Sequence, residues 1–297
     1  MIERTFQHVP GIGPWRERNL WEQGIRTWAS FPEAPQKPVV SRAKDPVIRE
    51  WIAKAGEALE AADLAGLASL FPGREHWRLI RRFGEGAVFF DIETDGSERQ
   101  LPTVVSLLDA EGLHLFVRGE NLEALPDALM RRPIWVTFNG SCFDVPVLRE
   151  HFPQLTRPPV HLDLRFLGRR IGLKGGLKQI ERGLGLDRST AIDGVGGMDA
   201  VLLWRAWLET RDPSVLQLLV EYNLYDAINL RSLLHRVLDG LLEQSGFGPE
   251  EEARFSEPET EDGSLQVRAV LEARNGASVE AEGAAVLART RARYGVF

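Results

Sequence analysis

Two carboxylates stand one residue apart in "FFDIETDG", Phe89–Gly96, at Asp91 and Glu93. Side chains alternate across a strand, so these acids share a face with Ala87 and Phe89, while Val88, Phe90 and Ile92 fill the other. Like charges this close repel. A chain tolerates them at the end of an apolar strand either because they are solvated where the strand meets a turn, or because a cation sits between them; oxygens of this kind suit the hard ions Mg²⁺ and Mn²⁺. Two further stretches add acids. In "TFNGSCFDVPVLRE", Thr137–Glu150, Asp144 with Pro146 opens a helix, where an Asp commonly serves as an N-cap for backbone N–H groups. In "LVEYNLYDAINLRSLL", Leu219–Leu234, Tyr222 and Asp226 fall on one helical face a single turn apart. Taken singly, a cap and an exposed pair are ordinary structural readings.

The elements that must carry these residues lie between Trp77 and Leu242, where strands and helices alternate. Strands read as "AVFFDI", "PTVVSLLD", "LHLFVRG", "IWVTFNG" and "VHLDL". The first three follow one another across short breaks containing Gly or Asp, the spacing of antiparallel neighbours. The helix "NLEALPDALMRR" then leads into "IWVTFNG", which implies a crossover to a parallel strand. Further helices are expected at about Asp144–His151, Leu177–Gly183, Asp199–Thr210 and Pro213–Leu242. The expected class is α/β, a mixed five-stranded sheet flanked by helices.

The 297 residues, 43% of them apolar, suffice for one sizeable core and an accessory module. Four regions are expected: a small all-α hairpin module at 1–32, a Pro-punctuated connector with an amphipathic helix (about Val47–Leu70) at 33–76, the α/β domain at 77–243, and an acidic linker with a tail at 244–297. Cys142 is the only cysteine, which excludes an internal disulfide and a cysteine-held zinc. Met1–Ser30 is charged and lacks an apolar h-region, and no later stretch approaches the roughly 18 apolar residues that cross a bilayer. No membrane association and a cytoplasmic location are therefore expected. The formal charge of −7 argues weakly against nucleic acid as a partner. Its distribution weakens that objection, because "PEEEARFSEPETED", Pro249–Asp262, holds seven acids against one arginine and accounts for most of the total. Arginine clusters stand at Arg74–Arg82 and Arg165–Arg182, each a phosphate-binding or a solvated face. The tail "DGSLQVRAVLEARNGASVEAEG" suits a hairpin turning at Asn275-Gly276 and suits a helix as well.

Together, D-x-E at a strand end, N-x-x-x-F-D at a helix entry and Y-x-x-x-D on a late helix resemble the DEDD exonucleases, in the subclass with a Tyr in the third motif. Within it the likeness is to the proofreading domains of family B DNA polymerases and to the YprB-like exonucleases of bacteria. It covers about Val88–Leu234 and includes "HLDL". The resemblance implies a ribonuclease H-like fold in which Asp91, Glu93, Asp144 and Asp226 ligate two divalent ions, Mg²⁺ or Mn²⁺, with Asp91 bridging both. Tyr222 would orient the attacking water; a phenol of pKa about 10 is a poor base at neutral pH. The implied reaction is 3′-to-5′ hydrolysis of phosphodiester bonds by in-line displacement between paired ions, releasing nucleoside 5′-monophosphates. Asn139 and Phe143 would support the terminal nucleotide. Asp163 in "HLDL" is expected to support the ligands from behind or to be structural, Lys174 and Lys178 to be solvated helix ends ahead of phosphate contacts, and Asp95 and Cys142 to have no catalytic role.

The front stretch "VPGIGPWRERNLWEQGI", Val9–Ile25, resembles a helix-hairpin-helix motif, in which a G-h-G turn between two short helices presents backbone N–H groups to phosphate. That likeness implies Gly11 and Gly13 as contacts to nucleic acid that read no sequence, Ile12, Leu20 and Ile25 as packing positions, and Arg16 and Arg18 as helpers. A purely structural hairpin is the alternative. Single-stranded DNA is the expected substrate ahead of RNA, with repair or replication proteins as partners, since no polymerase domain fits in the remaining residues. An RNA-trimming exonuclease of the same chemistry is one rival. A non-catalytic nucleic-acid-binding adaptor is the other, although degenerate nucleases usually lose a ligand and here all four carboxylates and the Tyr are present.

Overall fold

The computed structural model describes residues 1–33, 39–41, 44–186, 188–246, 263–275 and 283–296. The acidic stretch Pro249–Asp262 and Gly276 of the expected hairpin turn lie outside the described residues. The chain divides into two compact units, Met1–Gly84 and Glu85–Phe297.

In the first unit, α1 (Pro14–Glu22), α2 (Asp45–Glu60), α3 (Leu64–Leu70) and α4 (Ile80–Phe83) are joined by turns and 3-10 segments. An α-helix follows the Gly11-Ile12-Gly13 turn, but none precedes it: ahead stand a three-residue 3-10 helix, Ile2–Arg4, and turns. The expected pair of helices is thus reduced to its second member. Pro10 has no N–H to donate and disfavours helical backbone at Val9. His8 is drawn inward, its ring 5.0 Å from Trp28 and 5.1 Å from Phe71. Ile12, Leu20 and Ile25 are buried, as their spacing predicts. Buried Glu17 ties the N-terminal strand of chain to α1, accepting from the Thr5 hydroxyl at 2.6 Å and the Phe6 N–H at 2.8 Å. The single helix expected over Val47–Leu70 is two: Ala62 turns left-handed at φ 53°, and Asp63 starts α3 by accepting the Gly66 N–H at 2.8 Å. His8 stacks on Phe71, which follows α3, and the first compact unit runs to Gly84.

In the second unit, β1 (Ala87–Thr94), β2 (Pro102–Asp109), β3 (Gly112–Val117), β4 (Ile134–Thr137) and β5 (Val160–Asp163) form one sheet in the order β3-β2-β1-β4-β5. The β1–β2 and β2–β3 pairs are antiparallel and the β1–β4 and β4–β5 pairs parallel, as the connection lengths predict. Helices are α5 (Leu125–Met130), α6 (Asp144–His151), α7 (Leu164–Arg170), α8 (Leu177–Leu184), α9 (Gly197–Thr210), α10 (Pro213–Gln244), α11 (Gly263–Asn275) and α12 (Gly283–Arg293). Val88, Phe90 and Ile92 pack with Val105 and Leu107 of β2, Leu125 and Leu129 of α5, and Val145 and Leu148 of α6 in one buried cluster. Each such side chain contributes about 1.5–3 kcal/mol by leaving water. The opposite sheet face lies against α10, whose residues from Val215 to Leu230 are buried without a break. An α-helix buried all round needs this setting, between the sheet and further helices.

The described tail is helical rather than a strand hairpin. Ion pairs anchor it within the unit: Arg274 of α11 to Glu120 at 2.6 Å, Arg291 of α12 to Asp199 at 2.8 Å, and Arg293 to Glu209 at 2.9 Å. Helix α7 has no counterpart in the sequence reading; Asp163 ends β5 and caps α7 at once by accepting the Arg165 N–H at 3.1 Å, which leaves no loop to announce it.

Candidate active site

Strand pairing brings Asp91 and Glu93 to the centre of the second unit. β1 pairs with β4 only through Ala87, Val88 and Phe89, so its acidic end runs past β4 while β2 still supports it, with Asp91 opposite Ser106 and Glu93 opposite Val104. Ser106 holds α10 in register: its hydroxyl lies 2.7 Å from both the backbone oxygen and Oδ1 of Asn223. The amide of Asn223 in turn donates to Asp91 Oδ2 at 2.9 Å. Tyr222 and Asp226 flank Asn223 on the same helix. The result is that Asp91, Glu93 and Asp226 each bring an oxygen into a group whose members lie within 4.8 Å of one another.

Asp144 stands beside them. It is the first residue of α6 rather than its N-cap, a place taken by Phe143, and the backbone of Asp144 itself and of Ile92 favours its ionised form against burial. The turn before it is built by Asp163, which accepts the Asn139 N–H at 2.8 Å and the Ser141 N–H at 3.0 Å. Asp163 is thus structural, as expected. Asn139 is left-handed at φ 66°, a conformation Asn tolerates better than most residues, and its side-chain oxygen accepts from Arg165 at 2.6 Å. Gly140 is required by close approach: a Cβ there would fall 2.3 Å from Thr137 Oγ1. Phe143, the N-cap of α6, leaves 36% of its surface exposed.

The electrostatics follow from this crowding. Burial, then the charges of Asp226, Asp144 and Glu93, push the Asp91 carboxyl well above the ordinary range. Glu93 is raised by burial first and by Asp226 next. Asp144 is pushed up to about 7, chiefly by burial. Tyr222 is held protonated beyond its ordinary range by burial and then by Asp226, Glu93 and Asp91. The chain alone gathers more negative charge here than it neutralises. The oxygens fit a hard divalent ion: Mg–O distances of about 2.0–2.1 Å put ligand oxygens up to roughly 4.2 Å apart, close to the observed grouping.

Among the described residues, Lys178 and Arg188 border the acids. Lys178, expected to be a solvated helix end, instead lies half-buried with Nζ 4.0 Å from the Tyr222 ring centroid, and donates to the Val195 carbonyl. The turn of α8 that carries it packs toward α10, which shields the amine from water and lowers its pKa, burial being the largest cause. Lys174 is exposed, as expected. Arg188, which the sequence reading passes over, donates to Glu181 at 2.8 and 2.7 Å and also to Asp226. Glu181 is itself buried and accepts from Asn229 of α10 at 3.0 Å. A cleft of about 460 Å³ opens beside these cations, lined by Lys178, Arg182, Arg188, Ser189 and Thr190 among others. Asn223 was within reach of sequence reasoning, being three residues from Asp226 on a helix. Glu181 and Arg188 carry no comparable signal.

Gly11 and Gly13 belong to the first unit. Gly13 is the extended N-cap residue of α1, and Gly11, at φ +80°, accepts a side-chain bond from Arg16 on its carbonyl. A second group within 4.8 Å, Asp109, Glu111 and His114 on the β2–β3 hairpin, is already served by a cation, since Arg132 reaches both Asp109 and Glu111 at 2.7 Å.

No curated protein matches the chain. Among solved structures, the family B DNA polymerase from the hyperthermophilic archaeon Pyrobaculum calidifontis is similar over 53% of this chain and 24% of the polymerase chain, at 18% identity and a TM-score of 0.39. A family model described as the RNase_H superfamily matches residues 88–238, which run from β1 to the latter part of α10 and take in every member of the acidic cluster. Half of the sequence lies within that match, and on it the chain belongs to the RNase_H superfamily.

Proposed function

We propose that this chain is a divalent-metal-dependent 3′-to-5′ exonuclease of the DEDD type with a Tyr in its third motif, acting on single-stranded DNA. The observation that supports it most is the convergence of Asp91, Glu93 and Asp226, from a strand and a helix far apart in sequence, on one group of oxygens within 4.8 Å. Asp144 acts on Asp91 through its charge, as Asp226, Glu93 and Asp91 do on Tyr222, which supports reading all five residues of the motif set as one site. When bound, paired Mg²⁺ or Mn²⁺ ions activate water and neutralise charge developing on the phosphoryl group. The chain's own part is to orient and to exclude. Asn223 fixes Asp91, the Asp163 turn fixes the start of α6 and hence Asp144, and Tyr222, too strongly protonated to act as a base, donates its hydroxyl hydrogen to align the attacking water. Phe143 offers an exposed ring on which a terminal base can stack. Polarity rests on the order of the three motifs. The preference for DNA rests on the glycine turn before α1, which we assign to backbone phosphate contact through Gly11 and Gly13.

A 3′-labelled single strand incubated with Mn²⁺ tests the proposal. Release of the label as a mononucleotide in the first turnover is expected from the wild type, with loss on chelation and in Asp91→Ala and Asp226→Ala. Activity indifferent to chelator, or unchanged in either variant, would remove this reading. Competition between DNA and RNA strands checks the substrate, and Gly13→Ala, whose added Cβ meets nothing within 4 Å, checks the contribution of the front turn to strand affinity.

A further inference from the structure

Arg188 occupies a place that nothing in the motif pattern assigns. Its Nε and Nη2 grip both oxygens of Glu181 at 2.8 and 2.7 Å, and Nη2 also donates to Asp226 Oδ1, one of the three oxygens of the acid group. Glu181 is nearly inaccessible and is fixed by the amide of Asn229, one turn beyond Asp226 on α10. The guanidinium is therefore anchored on one side by a buried carboxylate and presents its charge to the acid cluster on the other. Among the described residues the buried Nη1 has no hydrogen-bond partner, and the two bonds to Glu181 do not depend on the one to Asp226. A guanidinium suits such a post, because its planar fork pairs bidentately with one carboxylate and stays charged at every working pH.

We propose that Arg188 is a resident counter-ion of the acid cluster: it holds Asp226 in place when the cluster is metal-free, and it competes with divalent metal for the Asp226 carboxylate. This rests on the reading of Asp91, Glu93, Asp144 and Asp226 as a metal site. Two opposite effects follow from removing one side chain. Removing the cation leaves Asp226 buried beside like charges, which destabilises the metal-free protein. Removing it also deletes both the rival for Asp226 and a positive charge that repels an incoming ion, which tightens metal binding.

Mn²⁺ titration at pH 8, followed by the paramagnetic resonance signal of free Mn²⁺, tests the proposal together with thermal unfolding in excess chelator. The acid-cluster site is the part of the Mn²⁺ binding that Asp91→Asn abolishes. Arg188→Met is expected to bind Mn²⁺ there at least tenfold more tightly than the wild type, to melt lower in chelator, and to show a larger rise in melting temperature on adding Mn²⁺. Arg188→Lys, which keeps a charge without the bidentate fork, is expected to fall between the two. Arg188→Met or Arg188→Lys binding Mn²⁺ as the wild type does, or more weakly, overturns the proposal while leaving the metal site standing. Wild-type binding that Asp91→Asn leaves untouched instead overturns the metal reading, and the counter-ion role with it.

Discussion

Asp144→Asn separates the electrostatic account of the cluster from a merely structural one. The Asp144 carboxyl is pushed from 3.8 up to about 7, chiefly by burial, so the folded chain holds that proton more tightly than the unfolded chain does. Stability is fully present below 3.8 and is lost as pH rises through about 7. At ~1.36 kcal/mol per pH unit the whole loss is about 4 kcal/mol, of which about 3 kcal/mol falls between pH 5 and pH 7. Asparagine cannot ionise and keeps one oxygen toward the backbone that favours the Asp144 carboxylate, at a fixed cost of about 1 kcal/mol for the weaker acceptor. That cost does not vary with pH. In excess chelator, the stability of Asp144→Asn relative to wild type is therefore expected to improve by about 3 kcal/mol from pH 5 to pH 8. For a unit the size of Glu85–Phe297 this amounts to roughly 6–12 °C in melting temperature. Relief of the neighbouring acids adds in the same direction. Scanning calorimetry at the two pH values, with and without Mn²⁺, is the assay. A melting difference that is the same at pH 5 and pH 8 would refute the argument, since it would mean that the carboxyl is not ionised against a folded-state penalty in this range. Mn²⁺ should raise the wild type more than the variant at pH 8 if the ion is what the charge is for.

The first unit should respond to pH with the opposite sign. His8 is lowered from 6.5 to about 4, burial being the largest cause, so its contribution is present above 6.5 and disappears as pH falls toward 4, by roughly 3 kcal/mol; fluorescence of the adjacent Trp28 should follow the loss, and His8→Leu should flatten it. Asp163→Ala removes an acceptor shared by the N–H groups of Asn139, Ser141 and Arg165, and should cost about 3 kcal/mol in urea unfolding while lowering nuclease turnover through Asp144. Gly140→Ala forces a Cβ against Thr137 and should cost about 1–3 kcal/mol, with a loss of turnover larger than the loss of fold, measured on protein shown to be native by circular dichroism. Asn223→Leu removes the bond to Asp91 and one to Ser106, and its KM is expected to stay near wild type while kcat falls at least tenfold.

What could be read in advance divides along a physical line. Strand signals were strong because β1, β2 and β4 alternate or run apolar over short, well-bounded stretches, and the order of elements with their connection lengths leaves few ways to pair them. Asp91 and Glu93 were legible by the period of a strand, and Tyr222 and Asp226 by the period of a helix. Asp144 was ambiguous, since a helix-opening Asp is usually a cap; only the fold shows Phe143 in the cap position and frees Asp144 for the cluster. Helix breaks at Ala62 and before Gly11 interrupt otherwise helical apolar spacing; the first is marked only by the Asp63 cap and the second by Pro10 together with the burial of His8 against Phe71, none of which periodicity encodes. Lys178 and Arg188 mark the deeper limit. A cation on a short amphipathic helix, or in the loop after it, reads as solvated until something buried is found to hold it. Here that something is Glu181, a carboxylate with 1% of its surface exposed, which is costly without a partner and is paired with Arg188 at 2.6 Å. The buried acid outside the motifs, rather than the arginine, is the feature from which the arginine's position follows.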